Sequence, residues 1–129
     1  MAKTICKIMG FIFLIVGIVG FVQPNIFGFH LSEIHSIIHL ATAALAFYFG
    51  FGASAQAAKT FAIVFGLIYL GLGVLGFAMP NLVANILQAH QVRGISRNLT
   101  PDNILHIIIG AIFLASALLR APVTALLSK

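Results

Sequence analysis

The chain has 129 residues, of which 61% are hydrophobic and only 7% charged. A water-soluble domain of this length needs a far more charged surface, so composition excludes a soluble globular protein and points to the lipid bilayer. The formal charge of +5 is not a nucleic-acid footprint, because the basic residues are few and scattered between apolar runs, and the lone Cys6 excludes an internal disulfide or a CxxC metal pair.

The first element, "MAKTICKIMGFIFLIVGIVGF", has the basic start and apolar core of a secretory signal. No small-x-small cleavage site follows it and the same segment recurs within the chain, so it is predicted to stay as a first span over residues 4–22. Phe27 and Phe29 then suit an interfacial belt, and Ser32 with Glu33 reads as a helix start. The second span runs over 33–52 and ends on the aromatic cluster "FYFGF" at the opposite interface. A third covers 60–79. The stretch "NLVANILQAHQVRG" places Leu82, Val83, Ile86 and Leu87 on one face of a short amphipathic helix, about 81–93, that lies on the outer surface and ends at Gly94. In "NLTPDN", Thr100 is the expected N-cap, Pro101 the first-turn residue and Asp102 the acid at the positive helix end of a fourth span, 102–120. A spanning helix needs ~20 mostly apolar residues, and all four runs qualify.

The chain also looks duplicated. "AKTICKIMGFIFLIVGIVGFVQPNIF" aligns without gaps on "AKTFAIVFGLIYLGLGVLGFAMPNLV", matching Gly10 with Gly66, Gly17 with Gly73, Gly20 with Gly76, Pro24 with Pro80 and Asn25 with Asn81. The following halves match more weakly. There His39 falls on His106, Ala44 on Ala111, His35 on Asp102 and Ser36 on Asn103. The fold class is therefore an all-α membrane protein, a four-transmembrane-helix bundle built from two parallel tandem repeats of a helical hairpin, residues 1–57 and 58–129, related by an axis along the membrane normal. Gly10, Gly17 and Gly20, their partners Gly66, Gly73 and Gly76, and the stripe Thr42, Ala46, Gly50 and Ser54 are small-residue faces on which helices can approach closely.

Lys3, Lys7, Lys59, Arg120 and Lys129 fall on one side of this topology, and Arg93 and Arg97 on the other with both acids, Glu33 and Asp102. The positive-inside rule then places both termini in the cytoplasm.

All five histidines lie in the outer half. His35 and His39 share a helix face, as do Asp102 and His106, and the repeat turns the two faces toward each other. His39 and His106 would sit about one turn into the apolar region, where ionisable groups default to a functional hypothesis. Four readings follow. The cluster can tie helices together at interfacial water. It can hold a metal ion, with His35, His39, Asp102 and His106 as an N/O set suited to zinc or copper. It can hold haem or another tetrapyrrole between His39 and His106. It can relay protons or ions, although only Tyr69 continues a polar path inward. His30 and His90 are expected to be solvated loop residues.

The order "GFVQPN…HLSEIHSIIHL…ALAFYFGF…AAKTFAIVFGLIYLGLGVLGF…DNILHIIIGAIFL" resembles a family of small bacterial four-span proteins described only as a domain of unknown function. Its H-N-x-x-H-L and N-x-x-H-x-x-x-G segments map to His35–Leu40 and to Asn103, His106 and Gly110, with Ser36 in place of the usual Asn. The resemblance implies the fold and a bacterial inner membrane, and no activity. Nucleophile–base catalysis is not expected, because only Ser36 stands near the histidines. The function expected first is a structural or accessory subunit packing with itself or a larger membrane complex. The alternative is a binding protein whose outer His/Asp cluster holds a metal ion or haem. The first predicts a patch of small residues left unused by the bundle.

Overall fold

Four long apolar runs must satisfy every backbone polar group internally once in lipid, and helices do so. The structure is a computed structural model and describes residues 1–92 and 98–119. It has α1 (Ala2–Val22), α2 (Glu33–Phe47), α3 (Ala55–Ala78), α4 (Pro80–Ile86) and α5 (Thr100–Leu118). A π-helical turn, Tyr48–Gly52, prolongs α2. Four helices are long and apolar enough to cross a membrane: Ala2–Val22, Glu33–Gly52, Ala55–Ala78 and Thr100–Leu118. These spans are close to those read from the sequence.

Local chemistry sets the helix ends. α1 stops just before Pro24, whose ring disfavours a helical residue in front of it. Ser32 caps α2 as expected, its hydroxyl accepting from the His35 N–H at 3.2 Å. Ser54 does the same for α3, accepting from the Ala57 N–H at 3.1 Å. At the cytoplasm-assigned end, the Lys3 ammonium donates to the Ala53 carbonyl at 2.8 Å, and Lys7 lies 4.7 Å from the centre of the Phe51 ring. Basic side chains thus fasten α1 to the turn after α2.

Two expectations need correction. Thr100 is not the N-cap of α5 but its first helical residue. Leu99 takes the cap position, and the Thr100 N–H is satisfied by the Asn98 side-chain oxygen at 3.0 Å. Nor is the outer segment one helix over 81–93. α4 ends at Ile86, Gln88 adopts a left-handed backbone (φ 51°), and a 3-10 turn follows at Ala89–Gln91. Its apolar face divides accordingly, with Val83 and Leu87 buried against the bundle and Leu82 and Ile86 exposed. Gly94, Arg93, Arg97, Arg120 and Lys129, which carried the helix end and part of the orientation argument, lie outside the described residues.

Helices pair as α1 with α2 and α3 with α5, and glycines set both contacts. In the first pair Gly10 meets Phe47, Gly17 meets Leu40 and Gly20 meets Ser36. In the second, Gly66 meets Leu114, Gly73 meets Ile107 and Gly76 meets Asn103. The approach reaches backbone at Gly110, whose Cβ would lie 2.5 Å from the Leu70 nitrogen, and again at Gly73. A Cβ there would lie 2.7 Å from the Asn103 carbonyl oxygen and 2.9 Å from the Ile107 nitrogen. Packing of this kind, rather than hydrophobic transfer, holds helices together in lipid. Between the pairs sits a core of Cys6, Phe13, Phe61, Ala62, Tyr69, Phe113 and Ala117, all buried.

Candidate functional site: an imidazole cluster at the head of a lateral groove

The site is assembled from three places: the loop between α1 and α2, the first turns of α2, and the first turns of α5. The loop turns back sharply. Phe27 and Gly28 both have positive φ (52° and 80°), and the Leu31 N–H donates to the Pro24 carbonyl at 2.8 Å. This folds His30 under the bundle's outer end, where it is 3% exposed. The expectation of a solvated His30 is therefore corrected. His90 is exposed, as expected of it.

Asp102 explains His30. A carboxylate buried among apolar helices needs hydrogen-bond donors, because an unpaired charge there is strongly unfavourable. The His30 backbone N–H donates to Asp102 Oδ1 at 2.8 Å, and its Nδ1 pairs with Asp102 Oδ2 at 2.7 Å. The carboxylate of the second helix pair is thus held by the loop of the first. From the same loop residue, the His30 carbonyl accepts from His35 Nδ1 at 2.7 Å, and one turn into α5 the Asp102 carbonyl accepts from His106 Nδ1 at 2.7 Å.

A carbonyl oxygen can only accept, so Nδ1 carries the proton in both His35 and His106. In the neutral ring Nε2 is then an acceptor. Among the described residues no hydrogen bond to either Nε2 is formed. His39 differs. It is 5% exposed, and its Nδ1 is buried with no partner.

The rings form one stacked group. His35 lies 4.5 Å from His39 and 5.7 Å from His106, centre to centre. Phe13 stacks on His39 at 5.3 Å, and Tyr69 stacks on His106 at 5.6 Å and on Phe13 at 5.3 Å. Tyr69 also lies beside the Thr42 side chain of α2. The structure thus gathers His35, His39 and His106, as the sequence suggested, but His35 is the ring that touches both others. Of the four residues read as a metal set, Asp102 turns its carboxylate to His30. Among the described residues no three His, Cys, Asp or Glu side chains are placed to hold a metal ion.

Val83, Leu87 and Ala89 roof the cluster, and the Ser32 hydroxyl donates to the Leu87 carbonyl, fastening this roof to α2. Sideways the cluster is open. A groove of about 370 Å³ runs between α1 and α5, walled by Ile12, Ile15, Val16 and Val19 on one side and Leu105, Ile108, Ile109 and Ile112 on the other. Phe27 and Phe29 flank its outer end, and His35, His39 and His106 line its head. The rim residues Ile15 and Ile108 are 60% and 48% exposed, and on spanning helices this exposure faces acyl chains.

Sequence reasoning missed His30 and the groove. The one available signal for His30 was that a buried Asp102 needed donors, and His30 was among the groups on that end of the bundle able to supply one.

No curated protein and no solved structure matches the chain significantly. A family model does match, over residues 3–119, and with that span of agreement the chain belongs to the family described as a domain of unknown function, DUF4383.

Proposed function

We propose that this chain is a non-catalytic binding protein of a bacterial cytoplasmic membrane, with both termini inside, and that it holds a lipid-soluble molecule in the groove between α1 and α5. One observation carries the reading: the imidazoles of His35, His39 and His106 line the head of an apolar groove that opens sideways, and in this cluster His39 Nδ1 has no protein partner. An unsatisfied polar atom of this kind costs ~1–3 kcal/mol, which a ligand atom can recover. Volumes of a few hundred Å³ with few convergent polar groups are the usual form of small-molecule sites. Ser36, the side chain that sequence reading placed nearest to nucleophilic chemistry, packs against Gly20. Support for the orientation comes from Lys3 and Lys7 at the end opposite Asp102.

The accessory-subunit reading retains one specific observation. The glycine stripes are used inside the helix pairs, but Ala111 and Ala115 stay exposed four residues apart on α5, a spacing that suits helix association.

Native mass spectrometry on protein released from bilayer nanodiscs tests the proposal. Wild type is expected to carry one equivalent of a non-covalent organic adduct, and the groove-filling pair Ile15→Trp with Ile112→Trp to lose it. Protein that is bare in both forms would overturn the reading. A stoichiometric zinc, copper or haem mass would replace it with the metal or tetrapyrrole alternative.

A further inference from the structure

We infer that the groove's ligand is a prenyl-tailed hydroquinone or phenol, held by hydroxyl groups that donate to the imidazoles. This rests on the groove-binding reading above and adds the chemistry of the head.

Donor and acceptor roles decide the class. His35 and His106 each use Nδ1–H on a backbone carbonyl, so each offers a lone pair at Nε2. His39 is free to choose its tautomer, because its Nδ1 is unpartnered. A head group entering here meets at least two acceptors and one ring that can serve either way. A quinone brings only carbonyl acceptors, and two of its encounters would be lone pair against lone pair. A hydroquinone or phenol brings O–H donors and satisfies them.

The charge of the site excludes the bulk lipids. Among the described residues lining the groove none is Lys or Arg, and the one acid, Asp102, is paired with His30. A phosphate head would therefore be desolvated with no cation to meet it. The rings favour a flat head. Phe13, His39, His35 and His106 stack with interplanar angles of 16–31°, and an aromatic head can continue such a stack. Below it, branched aliphatic walls suit an isoprenoid tail.

Binding is measured in nanodiscs by calorimetry under anaerobic, reducing conditions for 2-decylhydroquinone, and separately for 2-decylbenzoquinone and decylbenzene. The hydroquinone is expected to bind one to one and roughly tenfold more tightly than the quinone, the difference made by one to two net hydrogen bonds. His106→Phe, which keeps the stack and removes the acceptor, is expected to narrow that ratio severalfold while decylbenzene binding persists. Equal affinities, or tighter binding of the quinone, would overturn the head-group inference in wild type alone, whatever the variant does. If those probes still compete with decylbenzene at the groove, the underlying reading survives. If no probe is weakened by Ile112→Trp, both fail.

Discussion

Replacing Asp102 by alanine tests how the two helix pairs are joined. Its carboxylate takes the His30 N–H at 2.8 Å and the His30 ring at 2.7 Å, and both residues are about 95% buried. Removing it leaves two donors of His30 without an acceptor, each costing ~1–3 kcal/mol if water cannot reach them. Against this, hydrogen bonds between neutral side chains in membrane proteins average only ~0.6 kcal/mol, because the unfolded chain in lipid also finds partners. The larger effect should win here. The acceptor is a buried carboxylate, and hydrogen bonds to a charged group are worth ~1.5–3 kcal/mol. Discounting for the membrane reference state, Asp102→Ala is expected to lose about 2 kcal/mol. His30→Ala added to it is expected to cost much less than His30→Ala alone. The assay is reversible unfolding in mixed detergent–SDS micelles, run as a double-mutant cycle. A loss under about 1 kcal/mol for Asp102→Ala, or additive losses in the double variant, would refute the pairing as the link between the helix pairs.

Other predictions follow from single contacts. Gly73→Ala should cost about 1–3 kcal/mol, because its Cβ meets the α5 backbone, whereas Gly71→Ala meets nothing within 4 Å and should be neutral or stabilising by up to ~1 kcal/mol in the same assay. Equal effects at the two sites would remove the close-contact account of α3 and α5. Ser36→Ala should stabilise by up to ~1 kcal/mol, since the hydroxyl is fully buried without a partner; a loss of more than 1 kcal/mol would show that it has one. Reporter fusions at either terminus should be active only as cytoplasmic reporters, and a periplasmic signal from either end would invert the assigned topology.

The spans were legible because apolar length and cap chemistry are one-dimensional signals. Ser32 announced α2 by its own side chain, and the glycine spacing announced which faces would meet. The cap at α5 was misplaced by one residue, since Asn98 rather than Thr100 supplies the side-chain oxygen there. The break in the outer segment was hidden, because Gln88 carries no sequence mark of the left-handed conformation it adopts. His35, His39 and His106 were legible as one cluster from helical spacing. Its internal order was not, because the positions of the rings depend on how the α1–α2 loop turns at Phe27 and Gly28. That turn buries His30 against the Asp102 carboxylate and borders the groove between α1 and α5, neither of which is a property of any one segment.

Gly10–Phe47, Gly17–Leu40 and Gly20–Ser36 in one helix pair occupy the positions that the sequence alignment matches with Gly66–Leu114, Gly73–Ile107 and Gly76–Asn103 in the other. The departures from symmetry are the site. Phe13 stacks on His39 where its aligned residue Tyr69 stacks on His106, and His35 stands where the other repeat has Asp102.

The account's central claim is that a lipid-soluble molecule fills the lateral groove and meets the imidazoles. An experimental structure in nanodiscs of native lipid tests it most directly. The account predicts one elongated density between α1 and α5, with a polar atom about 3 Å from an imidazole nitrogen of His35, His39 or His106. A groove closed by its own side chains, with His39 Nδ1 bonded to protein, would contradict it.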